Sequence, residues 1–313
     1  MGGYILRRLG WSLVVVAAIV AVTFFAAYIL PADPARMIAG IRASPQDVER
    51  IRVALGLDQP FPVQLGRYVS RIFQGDFGQS YIQNRAVLPL ILERFPATLQ
   101  LAAAGLAVEL LIGLPLGILA ATRRGTRSDR LSTIVSIVLV SAPSFLVGYL
   151  LLNFLAFQPQ IRLGISIFPI GGYKPFDLRY LALPAITLGF SGAAYYTRLM
   201  RTAMLDELHR DYVRTARSKG LGEQAILWRH AVRNALGPVL SQIGLDLGFF
   251  LGGVVIVERV FSWPGIGKLA VDSIVTADVP LILGTVLFGT ICIVAANLAV
   301  DVLQVVVDPR IRR

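Results

Sequence analysis

Crossing the hydrocarbon core of a bilayer takes about 20 mostly apolar residues at a helical rise of about 1.5 Å each. This chain meets that length in six stretches: Leu9–Leu30, Ala97–Ala121, Leu131–Phe157, Leu178–Thr197, Leu236–Val257 and Pro280–Val307. Lipid offers no partner to a backbone N–H or C=O, so each stretch predicts a helix and the whole an all-α integral membrane protein. Composition agrees: of 313 residues, 55% are hydrophobic and 16% charged, against about 25% charged in a soluble domain. The third and sixth stretches are long enough to tilt or to extend beyond the bilayer. The fourth and fifth hold Pro184, Gly189, Gly192, Gly244, Gly248, Gly252 and Gly253, small residues that predict close helix packing. Arg7 and Arg8 precede the first stretch, as in a secretory leader. Its apolar run exceeds a leader's usual core of about 7–15 residues, which predicts a retained span.

An even number of spans places both termini on one side. The ends and loops of that side carry Arg7, Arg8, Arg123, Arg124, Arg127, Arg130, the basic run from Arg198 to Arg233, Arg310, Arg312 and Arg313. They hold more than half of the chain's 30 Lys and Arg. The positive-inside rule therefore predicts a multi-pass membrane protein with both termini cytoplasmic. Topology accounts for the net charge of +11, so no nucleic-acid partner is needed; the partner implied is membrane lipid. A single cysteine, Cys292, cannot form an internal disulfide.

Three segments follow: residues 1–30 as N-terminus and first span, 31–95 as an external insertion, and 96–313 as a core of spans with a cytosolic loop at 201–235. Within the insertion, Ser44 suits an N-cap, Pro45 the first helical position, Asp47 the positive helix end, and Gly56 a helix stop. A second helix is predicted from Pro62 to Gln74, ended by Gly75, and "GDFGQSY" reads as a loop. The insertion is large enough for a cap or docking surface, or it is a topological spacer. The external loop of about Gln158–Asp177 reads as irregular. In the last external loop, Phe261 and Trp263 suit an interfacial anchor, Pro264-Gly265 a turn and Lys268–Val275 a short helix. "GIGK" is no phosphate loop, because the first glycine of that motif is replaced by Ser262 and Leu269 follows Lys268.

Catalytic constellations are missing: there is no H-E-x-x-H, G-x-S-x-G or paired-cysteine motif, and His209 and His230 stand far apart, so no metal site is predicted. Within the stretches the acids are Glu109, Asp246 and Asp301. Asp301 lies near the inner end, where a salt bridge or water suits it. A mid-bilayer charge costs about 2.5–3.5 kcal/mol on insertion scales and faces a cavity or a partner. Glu109 and Asp246 therefore line a pathway or form a buried structural pair. Three acids make a thin proton relay, so the energy for any transport comes from elsewhere.

The basic segment "DYVRTARSKGLGEQAILWRHAVRN", Asp211 to Asn234, divides at Gly220. Its first half, Asp211–Lys219, has an acid at the start and Arg217 and Lys219 at the end, the favourable order for the helix dipole. Tyr212, Ala216 and Lys219 share a side with Val213 beside them, Gly220 supplies a left-handed stop, and Glu223–Asn234 restarts the helix with Pro238 at the entry to the next span. The pair is either an amphipathic interfacial segment or, through exposed Thr215, Ala216 and Ser218, a socket for another protein.

In sequence order, "LPADP" (Leu30–Pro34), "GLDQPFPVQ" (Gly56–Gln64), "GDFGQSY" (Gly75–Tyr81), "FPATLQL" (Phe95–Leu101), "YVRTARSKGLGEQAILWRHAVRNALGPVL" (Tyr212–Leu240), "FSWPGIGKL" (Phe261–Leu269) and "DPRIR" (Asp308–Arg312) resemble one family over essentially the entire chain. It is that of the inner-membrane permease subunits of binding-protein-dependent ABC importers, in the dipeptide/oligopeptide/nickel branch, and the likeness is to the first of the two permease chains. The loop looks like that branch's version of the EAA motif: Arg214-Thr215-Ala216 occupy the triplet, of which only Ala216 matches, and Gly220 follows after three residues.

The resemblance implies a type I ABC importer permease with six transmembrane helices, in a bacterial or archaeal plasma (inner) membrane. It implies an ATPase-coupling loop around Asp211, Tyr212, Arg214, Thr215, Ala216, Lys219, Gly220 and Leu221. It also implies a second homologous permease chain, two cytosolic ATPase domains that carry the ATP and Mg (no cofactor in this chain), and an external solute-binding protein docking near Asp76, Phe77, Trp263, Pro264 and Gly265. The cargo implied is a di- or oligopeptide, with haem, nickel, glutathione or oligosaccharide as alternatives within the importer type. A self-sufficient secondary transporter or channel is the alternative of another class, and an enzyme is disfavoured by the missing constellation.

Overall fold

A computed structural model describes residues 2–29, 34–40 and 43–307, and among these the secondary structure is helical apart from one isolated bridge, Gln79 to Ala86. Leu30–Asp33 of "LPADP", all of "DPRIR" and the side chain of Asp301 lie outside the described residues. The chain divides into two compact units.

The first unit comprises Met1–Thr98, Leu251–Val255 and Pro264–Ala295. Helix α1 spans Gly2–Ile29, and a short α2, Pro34–Ala39, was not legible in the sequence. Helix α3, Pro45–Leu55, starts as its sequence predicts: the Asp47 N–H donates to the Ser44 hydroxyl while the Ser44 N–H donates to the Asp47 carboxylate. That reciprocal box satisfies two of the donors a helix start leaves open. Gly56 ends α3 in the left-handed region at φ 68°. Helix α4, Phe61–Phe73, is held to α1 through Phe24, whose ring lies 5.6 Å from both Phe61 and Tyr68.

Helix α5, Val87–Thr122, begins more than two turns before the predicted Ala97. The reason is tertiary: Val87, Leu90 and Ile91 are buried with Ile266, Leu269 and Leu281, and Phe77, Phe95 and Phe288 pack around them. Pro89 falls in the first turn, where a missing N–H breaks no helical bond.

The fifth apolar stretch, predicted through Val257, stops at Leu251. Gly253 has φ 106°, and a Cβ there would come within 2.7 Å of the Gly267 backbone. The chain thus leaves the helix where two backbones touch. A separate α13, Val255–Val260, follows, then α14, Ile266–Val275, which starts two residues ahead of its predicted Lys268, and α15, Val279–Val307.

The second unit comprises Leu99–Phe250, Ile256–Trp263 and Ala296–Arg313. The predicted third span is two helical pieces. Helix α6, Arg127–Ser141, ends at Ala142, whose extended backbone (φ −81°, ψ 121°) precedes Pro143. Proline disfavours the helical conformation in the residue before it. Helix α7, Ser144–Leu151, then continues through a π-helical segment, Leu152–Phe157, into α8, Gln158–Leu163, so part of the loop expected to be irregular is helical. Helix α9, Leu178–Leu208, runs well past the predicted Thr197 and keeps Pro184 in its interior.

The C-terminal half of α5 packs on α9 through small residues. A Cβ at Gly113 would lie 2.6 Å from Tyr196 Cβ, one at Gly117 2.7 Å from Met200 Cβ, and one at Gly189 2.7 Å from the Gly105 carbonyl. Gly105, Glu109, Gly113 and Gly117 fall every four residues on one face of α5. The packing role predicted for Gly189 and Gly192 is realised here.

The interfacial-anchor expectation fails. Phe261 and Trp263 are 2% and 0% exposed. The Phe261 carbonyl accepts the Gly172 N–H at 2.9 Å, and the Trp263 ring meets Tyr173 edge-on at 4.8 Å. The loop before α9 covers these aromatics, which removes them from any lipid interface.

Candidate functional site

Helix α10, Asp211–Ser218, forms the first half of the polar loop. Val213 and Ala216 turn inward onto Ile226, with Tyr212 packed against them. Thr215 and Ser218 are exposed and donate their hydroxyls back to the Asp211 and Arg214 carbonyls at 3.0 and 3.1 Å. Ala216, expected among the exposed small residues of a socket, is instead 7% exposed. It stands three residues after Val213, on the same side of α10, and joins the cluster with Ile226.

Gly220 sits at φ 78° and closes α10 with two reversed bonds: its N–H donates to the Arg217 carbonyl at 2.9 Å, and the Leu221 N–H to that of Ala216 at 3.2 Å. This is the glycine-dependent C-terminal motif that satisfies the last carbonyls of a helix. Across the turn, Arg217 grips Glu223 with a fork of 2.7 and 3.0 Å, and the pairing holds the Glu223 carboxyl below its usual range.

Beyond the turn the structure departs from the sequence expectation. The second half does not end before a new span. It runs as α11 (Glu223–Ala225), a π-helical segment (Ile226–Val232) and α12 (Arg233–Leu251) without interruption, with Pro238 inside α12. One helical run from 223 to 251 therefore begins in the polar loop and enters the fifth apolar stretch.

Tyr212 ties the loop to both neighbours. Its hydroxyl donates to Glu207 Oε2 at the end of α9 (2.6 Å) and accepts from Asn234 Nδ2 on α12 (3.0 Å). Its ring lies 6.4 Å from that of His230. Burial, with the bond to Glu207, pushes the phenol up from its ordinary pKa. Asp211, Arg214, Lys219 and Leu221 are exposed around this anchor.

Sequence reasoning missed Glu207, Asn234 and Ile226, because contacts over such separations leave no periodic trace. The Arg217–Glu223 pair had a readable signal, opposite charges flanking a glycine turn. Also missed was a second fork, Arg201 to Asp129 at 2.8 and 3.0 Å, with the Gly125 N–H on the same carboxylate. Those donors, Arg201 first, keep Asp129 below its usual range.

Of the acids expected within the spans, Glu109 is 3% exposed and lies against Gly192, where a Cβ would collide with its carboxylate. Asp246 is half-buried and accepts from Tyr196 Oη at 2.6 Å and Gln242 Nε2 at 2.9 Å.

On the side expected to be external, Asp76 is exposed and accepts the Gly78 N–H at 2.8 Å, while Phe77 packs into the Val87–Ile266 cluster. Asp278, fully buried, accepts the Ser80 hydroxyl and the Tyr81 and Ile82 N–H groups at 3.2 and 3.3 Å. Pro264 is partly exposed, whereas Gly265 and Trp263 are buried. Among the described residues no cluster of three or more His, Cys, Asp or Glu converges as a metal site would require.

Residues 113–313 match the family model described as "Binding-protein-dependent transport system inner membrane component", and residues 1–102 match its N-terminal counterpart. The chain belongs to this family of permease components. A putative peptide transport system permease protein of Brucella abortus (strain 2308) is 40% identical to this permease over 320 residues, covering 100% of the chain and 99% of the relative. The probable D,D-dipeptide transport system permease protein DdpB of Escherichia coli (strain K12) is 42% identical over 331 residues, covering 99% and 97%. The glutathione transport system permease protein GsiC of Salmonella paratyphi A (strain ATCC 9150 / SARB42) is 38% identical over 312 residues, covering 100% and 99%.

Among solved structures, the inward-facing MetNI methionine ABC transporter superposes with a TM-score of 0.53 at 18% identity, over 71% of this permease and 97% of that chain. That likeness carries the type I permease fold. The family is one of non-catalytic membrane components of ABC importers.

Proposed function

We propose that this permease forms half of the translocation pathway of an ATP-driven importer for di- and oligopeptides, and that α10 with its Gly220 turn receives the movement of the ATPase. The observation that carries the reading is the join between loop and span. Tyr212 fastens α10 to α9 and α12 at once, and the helical run beyond Gly220 enters the apolar region unbroken. A push on α10 would thus move two helices as a rigid body, the form in which short helices transmit closure.

In this reading the chain spans the membrane six times with both termini cytoplasmic. Residues 1–30, 31–95 and 96–313 act as first span, external insertion and permease core. Two ATPase domains carrying ATP and Mg would engage the exposed side of the loop, at Asp211, Arg214, Thr215, Lys219, Gly220 and Leu221, with Tyr212 and Ala216 holding α10 from within. A second, homologous permease chain would complete the pathway. An external solute-binding protein would dock near Asp76, Phe77, Pro264 and Gly265, with Trp263 supporting the loop from within. Peptide cargo is supported by relatives named for peptide and D,D-dipeptide transport. Glutathione, itself a small peptide, is a second reading supported by the relative named for it.

The deciding experiment is identification of the ligand retained by the cognate binding protein, followed by ATP-dependent uptake of that ligand into proteoliposomes holding the whole importer. Peptide bound and imported is the expected result. Uptake that survives a catalytically dead ATPase would instead indicate a self-sufficient transporter.

A further inference from the structure

Three polar side chains of the second unit reach its surface among apolar neighbours. Tyr195 on α9 is 43% exposed, Gln242 and Asp246 on α12 are half-buried, and Leu245 and Phe249 beside them are exposed. The three are wired together: Tyr195 Oη donates to Gln242 Oε1 at 3.3 Å, and Gln242 Nε2 donates to Asp246 Oδ1 at 2.9 Å. Tyr196 Oη holds the other Asp246 oxygen at 2.6 Å from behind.

One turn earlier on α9, at Gly192, stands the carboxylate of Glu109. Its Oε2 is buried and has no hydrogen-bond partner, and it stands one helical turn from Tyr196, whose hydroxyl binds Asp246. The groups that satisfy Asp246 are a phenol and an amide, neither of them a cation. Acids at membrane depth face a water-filled path or a partner, because lipid does not solvate them. Among the described residues no Lys or Arg pairs with either acid, and one Glu109 oxygen is left open, so the site has room for a donor that this chain does not supply.

We propose that this face lines the translocation pathway, and that Asp246, backed by Glu109, is a station for an ammonium group of the passing solute. Gln242 and Tyr195 hold the carboxylate in place and present a polar edge beside it. Under the peptide-import reading, on which the identity of the solute rests, that ammonium is the free amino terminus or a lysine side chain.

The test uses the complete importer in proteoliposomes and small thiol reagents, so it needs no knowledge of the cargo. In a Cys292→Ser background, Tyr195→Cys and, separately, Leu245→Cys are treated with a trimethylammonium methanethiosulfonate and with its sulfonate counterpart. Rates are corrected for reaction with a free thiol. Modification about tenfold faster by the cationic reagent, with the preference abolished by Asp246→Asn, is the expected result. Absence of reaction at both positions means that lipid or the partner permease covers the face, and overturns the proposal. A charge preference that Asp246→Asn leaves unchanged overturns it equally, as it would if the acids held only a proton. Either failure leaves peptide import standing. A preserved preference in an importer that refuses peptides would reject the cargo reading alone.

Discussion

Gly192 has no room for a side chain because Glu109 fills it. Gly192→Ala drives a methyl into a packed seam and should lower stability by about 1–3 kcal/mol, seen as a reduced unfolding temperature in detergent. Adding Glu109→Ala should return part of the loss, since the obstructing carboxylate is gone; no recovery would mean that the seam is tight for another reason. Under the proposed function the Tyr212 hydroxyl bears on coupling, while its ring packs against the Val213–Ile226 cluster. Tyr212→Phe keeps the ring against His230 but removes both hydroxyl bonds, so solute moved per ATP should fall several-fold while the subunit still assembles. Asp278→Ala would strand the buried Ser80 hydroxyl, a cost of about 1–3 kcal/mol, and would release the partly buried Tyr81 and Ile82 N–H groups. Cleavage between Gly75 and Ala86 in limited proteolysis should accelerate accordingly.

At the scale of elements, local signals were readable where the backbone itself enforces them. Ser44, Pro45, Asp47 and Gly56 bound α3 as their residue types require, and Gly220 ends α10 for the same reason. Signals were misread where packing overrides propensity. Pro143 breaks an apolar run that composition alone joins, whereas Pro184 and Pro238 sit inside helices that continue past them. Proline is tolerated in spans whose freed carbonyls find other partners, and sequence does not record which prolines have them. Val87–Phe95 became helix because a hydrophobic cluster covers it. Trp263, amphipathic enough for a membrane interface, was claimed by Tyr173 and the loop before α9. The site followed the same division: Gly220 and Ala216 stand out in the sequence, but the bonds that fix them, through Glu207 and Asn234, required the fold.

For the whole molecule, three described helices are long and apolar enough to cross a membrane by themselves: Val87–Thr122, Ser144–Leu163 and Val279–Val300. Helices α9 and α12 hold the loop anchor and the Tyr195–Asp246 network. Under the proposed function these two helices would face a pathway and a partner on part of their surface, where polar side chains are accommodated. The central claim, that force reaches them through the Gly220 turn, is tested most directly by the solute transported per ATP hydrolysed in the reconstituted importer. A valine at φ 78° is strained even though nothing crowds that position, while asparagine tolerates the left-handed region. Gly220→Val should lower the ratio at least tenfold with the ATPase still bound, and Gly220→Asn should hold it within about twofold. Unchanged uptake and normal ATPase association in Gly220→Val would contradict the account.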